Sequence, residues 1–133
     1  MLATTQTERL LTELDHVRLS KLRDHELPPA LEKLLDSAET VESNTVPADV
    51  VTMYSMVEVE DPSTNLRRKL TVCYPRDADA SAGFVSVLSP VGSSLLGLRA
   101  GATARWSTPS GQPGEAKIVS ILFQPEASGD YTA

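Results

Sequence analysis

A chain of 133 residues, 41% of them hydrophobic, has material for one packed core. Its 18 acidic side chains against 12 basic ones leave a net charge of −6, which speaks against non-specific grip on phosphate backbones. No apolar run approaches the roughly 20 residues needed to cross a bilayer, the N-terminus lacks the basic and apolar regions of a signal peptide, and a single cysteine, Cys73, cannot close an internal disulfide. The expectation is a cytoplasmic protein without membrane association or sequence-specific nucleic-acid binding; the sequence leaves the oligomeric state open, with a monomer favoured.

The acid excess lies early: residues 1–49 hold ten acids and five bases, and no glycine precedes Gly83. Leu10, Leu14 and Val17, flanked by Leu11 and Leu22, predict a first helix over about residues 5–22. Its length is about 27 Å at about 1.5 Å per residue. Leu31, Leu34, Leu35, Ala38 and Val41 predict a second helix, opened by Pro28 and Pro29, which suit a first helical turn. A short connection implies an antiparallel helical hairpin, a short coiled coil with its tip at residues 24–27. Turn formers over residues 43–49 place a boundary there, giving an N-terminal hairpin over 1–45 and a second domain over 46–133.

The second part reads as sheet. Alternating apolar and polar residues predict strands over 53–60 and 70–74, joined as a hairpin by the turn Pro62–Asn65. Further strands are expected over 84–88, 102–107 and 117–123, the last apolar on both faces like an interior strand. Ser89 and Pro90 open a short helix, as cap and first turn, and Gly97 stops it. A loop over 109–114 joins the last two strands. The order is two helices, three strands, one helix, two strands, an α+β protein.

A search for catalytic chemistry finds little. The two histidines, His16 and His25, lie in the acidic hairpin, and His16 reads as a solvated side chain. No cysteine pair, HxxxH spacing or glycine-rich phosphate loop is present. Ser93 and Ser94 have no neighbouring base, and Cys73 reads as a small hydrophobe. No cofactor, no metal and no enzymatic activity are expected. The tip residues Asp24, His25 and Glu26 could hold a hard cation, but a solvated acidic turn is the plainer reading. Arg67-Arg68-Lys69, the one basic cluster, reads as an exposed strand edge guarded against pairing.

Residues 86–111, SVLSPVGSSLLGLRAGATARWSTPSG, resemble the C-terminal domain of the Gre transcript-cleavage factors of bacterial RNA polymerase. The chain is more closely similar to the Gre-related regulators of nucleoside diphosphate kinase, through LPPAL in the second helix, PADVVTM at 47–53 and QPEASGDY at 124–131. The resemblance runs from about residue 27 onward, and the first helix matches weakly. It implies an FKBP-like antiparallel sheet domain carrying a short coiled coil. It also implies binding to RNA polymerase near its secondary channel, in competition with other channel-binding factors, and an indirect influence on nucleoside diphosphate kinase levels. Gre factors carry a longer coiled coil whose acidic tip delivers Mg2+. The shorter hairpin here, with Asp24-His25-Glu26 in place of Asp-x-x-Glu, implies channel occupancy without RNA cleavage. Gre-type docking would place the polymerase contact at Ser89 and Pro90, with Ser94 and Leu95 beside them. Direct regulation of nucleoside diphosphate kinase or another cytosolic enzyme, through the acidic hairpin, stays open as the alternative; prolyl isomerase activity is not expected.

Overall fold

The computed structural model describes residues 9–24, 27–107 and 113–130. The N-terminal segment opens with a short strand, β1 (Leu10–Thr12), followed by α1 (Glu13–Ser20) and a 3-10 turn (Lys21–Asp24). It continues with α2 (Pro29–Ser37) and β2 (Glu39–Val41). The first helix is therefore shorter than its predicted span, and Leu10 and Leu11 belong to a strand. The cause is local. Thr12 is extended and its Oγ1 accepts from the Asp15 N–H at 3.0 Å, which starts the helix there. Just before it, the Leu10 N–H donates to Gly97 O (3.1 Å) and the Glu39 N–H to Arg9 O (3.0 Å), drawing residues 9–12 into strand pairing.

β1 and β2 run parallel, with Leu10 opposite Glu39 and Thr12 opposite Val41. A simple up-and-down helical pair would bring its ends back antiparallel, so this segment is a β-α-α-β crossover and not one continuous two-helix coiled coil. Ala38 and Val41 likewise fall outside α2, which ends at Ser37. The start of α2 follows the sequence expectation. Pro29 occupies the first turn, and the Pro28 carbonyl accepts from the Leu31 and Glu32 N–H groups. One face of α2 buries Leu31, Leu34 and Leu35. On α1 the expected stripe is displaced: Val17 is 52% exposed, while Asp15 and Leu19, four residues apart, are buried, as is Leu11 on the preceding strand.

The remaining elements are β3 (Met56–Glu60), β4 (Arg67–Cys73), β5 (Phe84–Ser86), α3 (Pro90–Leu95), β6 (Thr103–Ser107) and β7 (Pro113–Phe123). They form a mixed sheet in the order β5-β4-β3-β7-β6, antiparallel except for the β4–β5 pair. β3 and β4 make the expected hairpin, its turn held by Asp61 and by Asn65 at φ 60°. Register shifts in β3 against β7 mark bulges, which bend a sheet. β5 pairs only with Thr71–Cys73, so Arg67–Lys69 run past its end as an open edge; on the other side Lys69 faces Glu58 and Arg67 faces Glu60.

A single apolar cluster joins the two parts of the chain. Leu11, Leu19, Leu31, Leu34 and Leu35 from the N-terminal segment pack with Val51, Met53, Val57, Val72, Leu95, Leu96 and Ile118. Among the described residues no helix is long and apolar enough to cross a membrane.

Candidate functional site

α3 is built from a run of local constraints. Ser89 Oγ accepts from the Gly92 N–H at 3.0 Å and donates to Ser86 O at 2.7 Å. Ser86 O also accepts from the Ser89 N–H (3.0 Å), and Ser86 Oγ accepts from the Leu88 N–H (3.0 Å). Pro90 follows at the first helical position, exposed, with its φ fixed by the ring. Gly92 lies so close to the preceding strand that a Cβ would stand 2.0 Å from Ser86 O. Residues 86–92 thus present a fixed, donor-poor edge capped by the Pro90 ring.

The four residues expected to make a contact here separate by burial. Pro90 is exposed and Ser89 half-buried. Ser94 is 5% exposed, with its hydroxyl donating to Val91 O at 2.7 Å, and Leu95 is 0% exposed within the core. Ser94 and Leu95 are thus buried in the free protein, Leu95 within the core, while Pro90 on the same helix is exposed. Of the tip residues, Asp24 ends the 3-10 turn, and His25 and Glu26 lie outside the described residues.

The far end of α3 is tied to the N-terminal segment. Arg9 Nη1 donates to Ser93 O and Leu96 O, both at 3.0 Å. Gly97, at φ +85°, donates its N–H to Val51 O (2.8 Å). A Cβ on it would meet Arg9 Cβ and Leu10 O at 3.2 Å.

A buried polar cluster lies under α1. Asp15 is 1% exposed and its Oδ2 accepts from the Met53 N–H at 3.1 Å. Burial pushes its carboxyl up to about 7; the Met53 N–H pulls it back, the charge of Glu126 pushes further up, and Thr12 and Arg18 pull down. Glu126 is itself buried and accepts from Thr52 Oγ1 at 2.7 Å. Tyr74, whose hydroxyl burial and then the Asp15 charge push up to about 12, closes this cluster. Gln124 Nε2 donates to both Pro47 O and Val50 O at 2.8 Å. Two of the sequence stretches singled out earlier, PADVVTM and QPEASGDY, therefore bind each other. His16 departs from the solvated reading: it is half-buried with Nε2 2.8 Å from Leu35 O, and because a carbonyl only accepts, Nε2 carries the hydrogen.

Sequence reasoning did not find Arg9, Asp15, Gln124 or Glu126. Spacing with Leu11 and Leu19 was the available signal for Asp15, whereas Arg9 offered none. Beside the β3–β4 turn a concavity of about 860 Å3 opens between Leu66, Arg68, Arg105 and Trp106. The Trp106 ring covers Gly114, where a Cβ would come within 2.2 Å of it, and Arg105 is paired with Glu115 at 2.9 Å. Among the described residues no three His, Cys, Asp or Glu side chains converge as metal ligands.

The family model for the C-terminal region of the transcription elongation factors GreA/GreB matches residues 46–123. The regulator of nucleoside diphosphate kinase of Escherichia coli K12 is 34% identical over 128 residues, covering 92% of this chain and 94% of the relative. The transcription inhibitor protein Gfh1 of Thermus aquaticus is 33% identical over 110 residues, or 81% of this chain and 68% of the relative. Among solved structures, a GreA/GreB transcription elongation factor from Nitrosomonas europaea superposes with a TM-score of 0.73 at 36% identity, covering 87% of this chain and 98% of the other. Its α+β architecture is thus Gre-like, and the chain belongs to the regulator of nucleoside diphosphate kinase family of Gre-related proteins.

Proposed function

We propose that this protein is a non-enzymatic transcription regulator of the bacterial cytoplasm. It binds RNA polymerase at the rim of the secondary channel and competes there with Gre-type factors without stimulating RNA cleavage. Its effect on nucleoside diphosphate kinase is then an indirect outcome of transcription. Residues 46–133, read as an FKBP-like Gre-type unit, anchor the protein, and the N-terminal β-α-α-β unit takes the place of a Gre hairpin at the channel mouth. The observation that carries the reading is the rigid exposed edge at Ser89–Pro90, built in the region where the chain matches the GreA/GreB family.

Helix length supports occupancy without catalysis. α1 and α2 have eight and nine residues, so each rises only about 12–14 Å at 1.5 Å per residue. That is roughly half the length expected from the sequence, and a tip carried on it stops short of a deep catalytic centre. Core RNA polymerase carrying a fluorescently labelled Gre factor provides the test. Displacement of the label on titration with this protein, with no RNA cleavage in stalled complexes, is the expected outcome. Absence of displacement at a large excess, or cleavage above background, overturns it.

A further inference from the structure

Arg9 lies outside the exposed edge yet holds the helix that carries it. Its backbone carbonyl accepts from Glu39 at the start of β2, and the next residue donates to Gly97 O. Its guanidinium reaches the last carbonyls of α3 at Ser93 and Leu96. Those carbonyls lack further helical partners and carry the negative end of the helix dipole, so a cation is favoured there. Among the described residues the guanidinium is paired with no carboxylate; burial works against its charge, and the two carbonyls are what compensate. At the opposite end of the same helix, Ser89 and Gly92 fix the first turn. α3 is only six residues long and cannot hold its position by its own hydrogen bonds. It is clamped by Ser89 in front and Arg9 behind.

We propose that Arg9 is a positioning residue for the polymerase-docking edge, through which the N-terminal β-α-α-β unit sets the placement of α3 without touching the polymerase. This rests on the docking reading above. It makes the two parts of the chain interdependent: a shift of β1 against β2 moves Arg9, and with it α3 and Pro90. Both bonds leave one nitrogen, Nη1, whose two hydrogens each serve one carbonyl; the guanidinium plane fixes their directions, whereas the hydrogens of a lysine ammonium rotate on a shorter, flexible stem.

The test compares the full-length wild type, Arg9→Ala and Arg9→Lys for affinity to core RNA polymerase and for amide hydrogen exchange at Leu96 and Gly97. Arg9→Ala is expected to bind about tenfold more weakly and exchange at least tenfold faster at these two amides, with its cooperative urea transition retained. Arg9→Lys is expected to lie between the two in both readouts. A folded Arg9→Ala variant that binds like the wild type overturns the proposal, even where its exchange is faster, since Arg9 would then be a packing residue only. If Arg9→Ala does not fold, Arg9→Lys decides, and binding equal to the wild type overturns the proposal. Failure of the wild type itself to bind polymerase refutes the docking reading separately. Exchange then decides whether Arg9 sets α3, and unchanged rates in Arg9→Ala overturn that too.

Discussion

Asp15 occupies the middle position of an inward face otherwise made of Leu11 and Leu19. A buried carboxyl with a pKa of about 7, against an ordinary 3.8 in the unfolded chain, binds its proton more tightly in the folded state. Its contribution to stability is therefore fully present below about pH 4 and is lost as pH rises through 7. The rise from 3.8 to about 7 corresponds to a span on the order of 4 kcal/mol, with burial and then the Glu126 charge adding to the cost of the charged form and Arg18 reducing it. Asp15→Asn keeps an acceptor for the Met53 N–H and removes the titration. Urea unfolding between pH 5 and 8 should show wild-type stability falling with pH and a flatter profile for Asp15→Asn. Parallel profiles would contradict the assignment. The same residue explains why the first helix was misread: apolar spacing counts leucines, and a carboxylate in the inward stripe hides the face that is buried. Gln124 and Glu126 were equally hidden, since their partners are backbone carbonyls and a hydroxyl some 74 to 77 positions away.

Elements whose cause is local were legible. The β3–β4 hairpin follows from alternation and turn chemistry, and α3 follows from Ser89, Pro90 and Gly97. The start of α2 follows from its two prolines, whereas β1 and β2 are three-residue strands paired only with each other across 26 intervening residues, a long-range pairing that no local pattern announces. Within α3 the cap was legible but the burial of Ser94 and Leu95 was not, because a six-residue helix is too short for apolar spacing to mark its inward face. Two substitutions probe this element. Gly92→Ala must push Ser86 away, since the added Cβ meets a backbone oxygen at 2.0 Å; a loss of at least about 2 kcal/mol in urea unfolding is expected. Pro90→Ala leaves the Ser89 cap and the core untouched. It should keep wild-type stability within about 0.5 kcal/mol while lowering polymerase affinity roughly three- to tenfold, or about 1 kcal/mol. Unaltered affinity would remove Pro90 from the contact.

At the scale of the whole molecule, composition and packing divide the chain differently. Charge and glycine content change sharply between residues 49 and 83, which made a two-part reading natural. The core does not respect that change. Leu11, Leu19, Leu31, Leu34 and Leu35 close over the same cluster as Val57, Val72 and Ile118, and Asp15, Arg9 and Leu10 bond directly to Met53, α3 and Gly97. Removing residues 1–45 would uncover apolar surface that six buried leucines now shield. At about 1.5–3 kcal/mol for each leucine, the loss is comparable to the entire stability of a typical domain, about 5–15 kcal/mol. The fragment 46–133 is therefore expected to lack a cooperative thermal transition and to bind apolar dyes such as ANS, although it holds all five strands of the main sheet. A fragment that melts cooperatively would instead establish two independently stable units joined at residues 45 and 46. The N-terminal unit would then be free to move without disturbing α3, contrary to what its packing and the Arg9 bonds require.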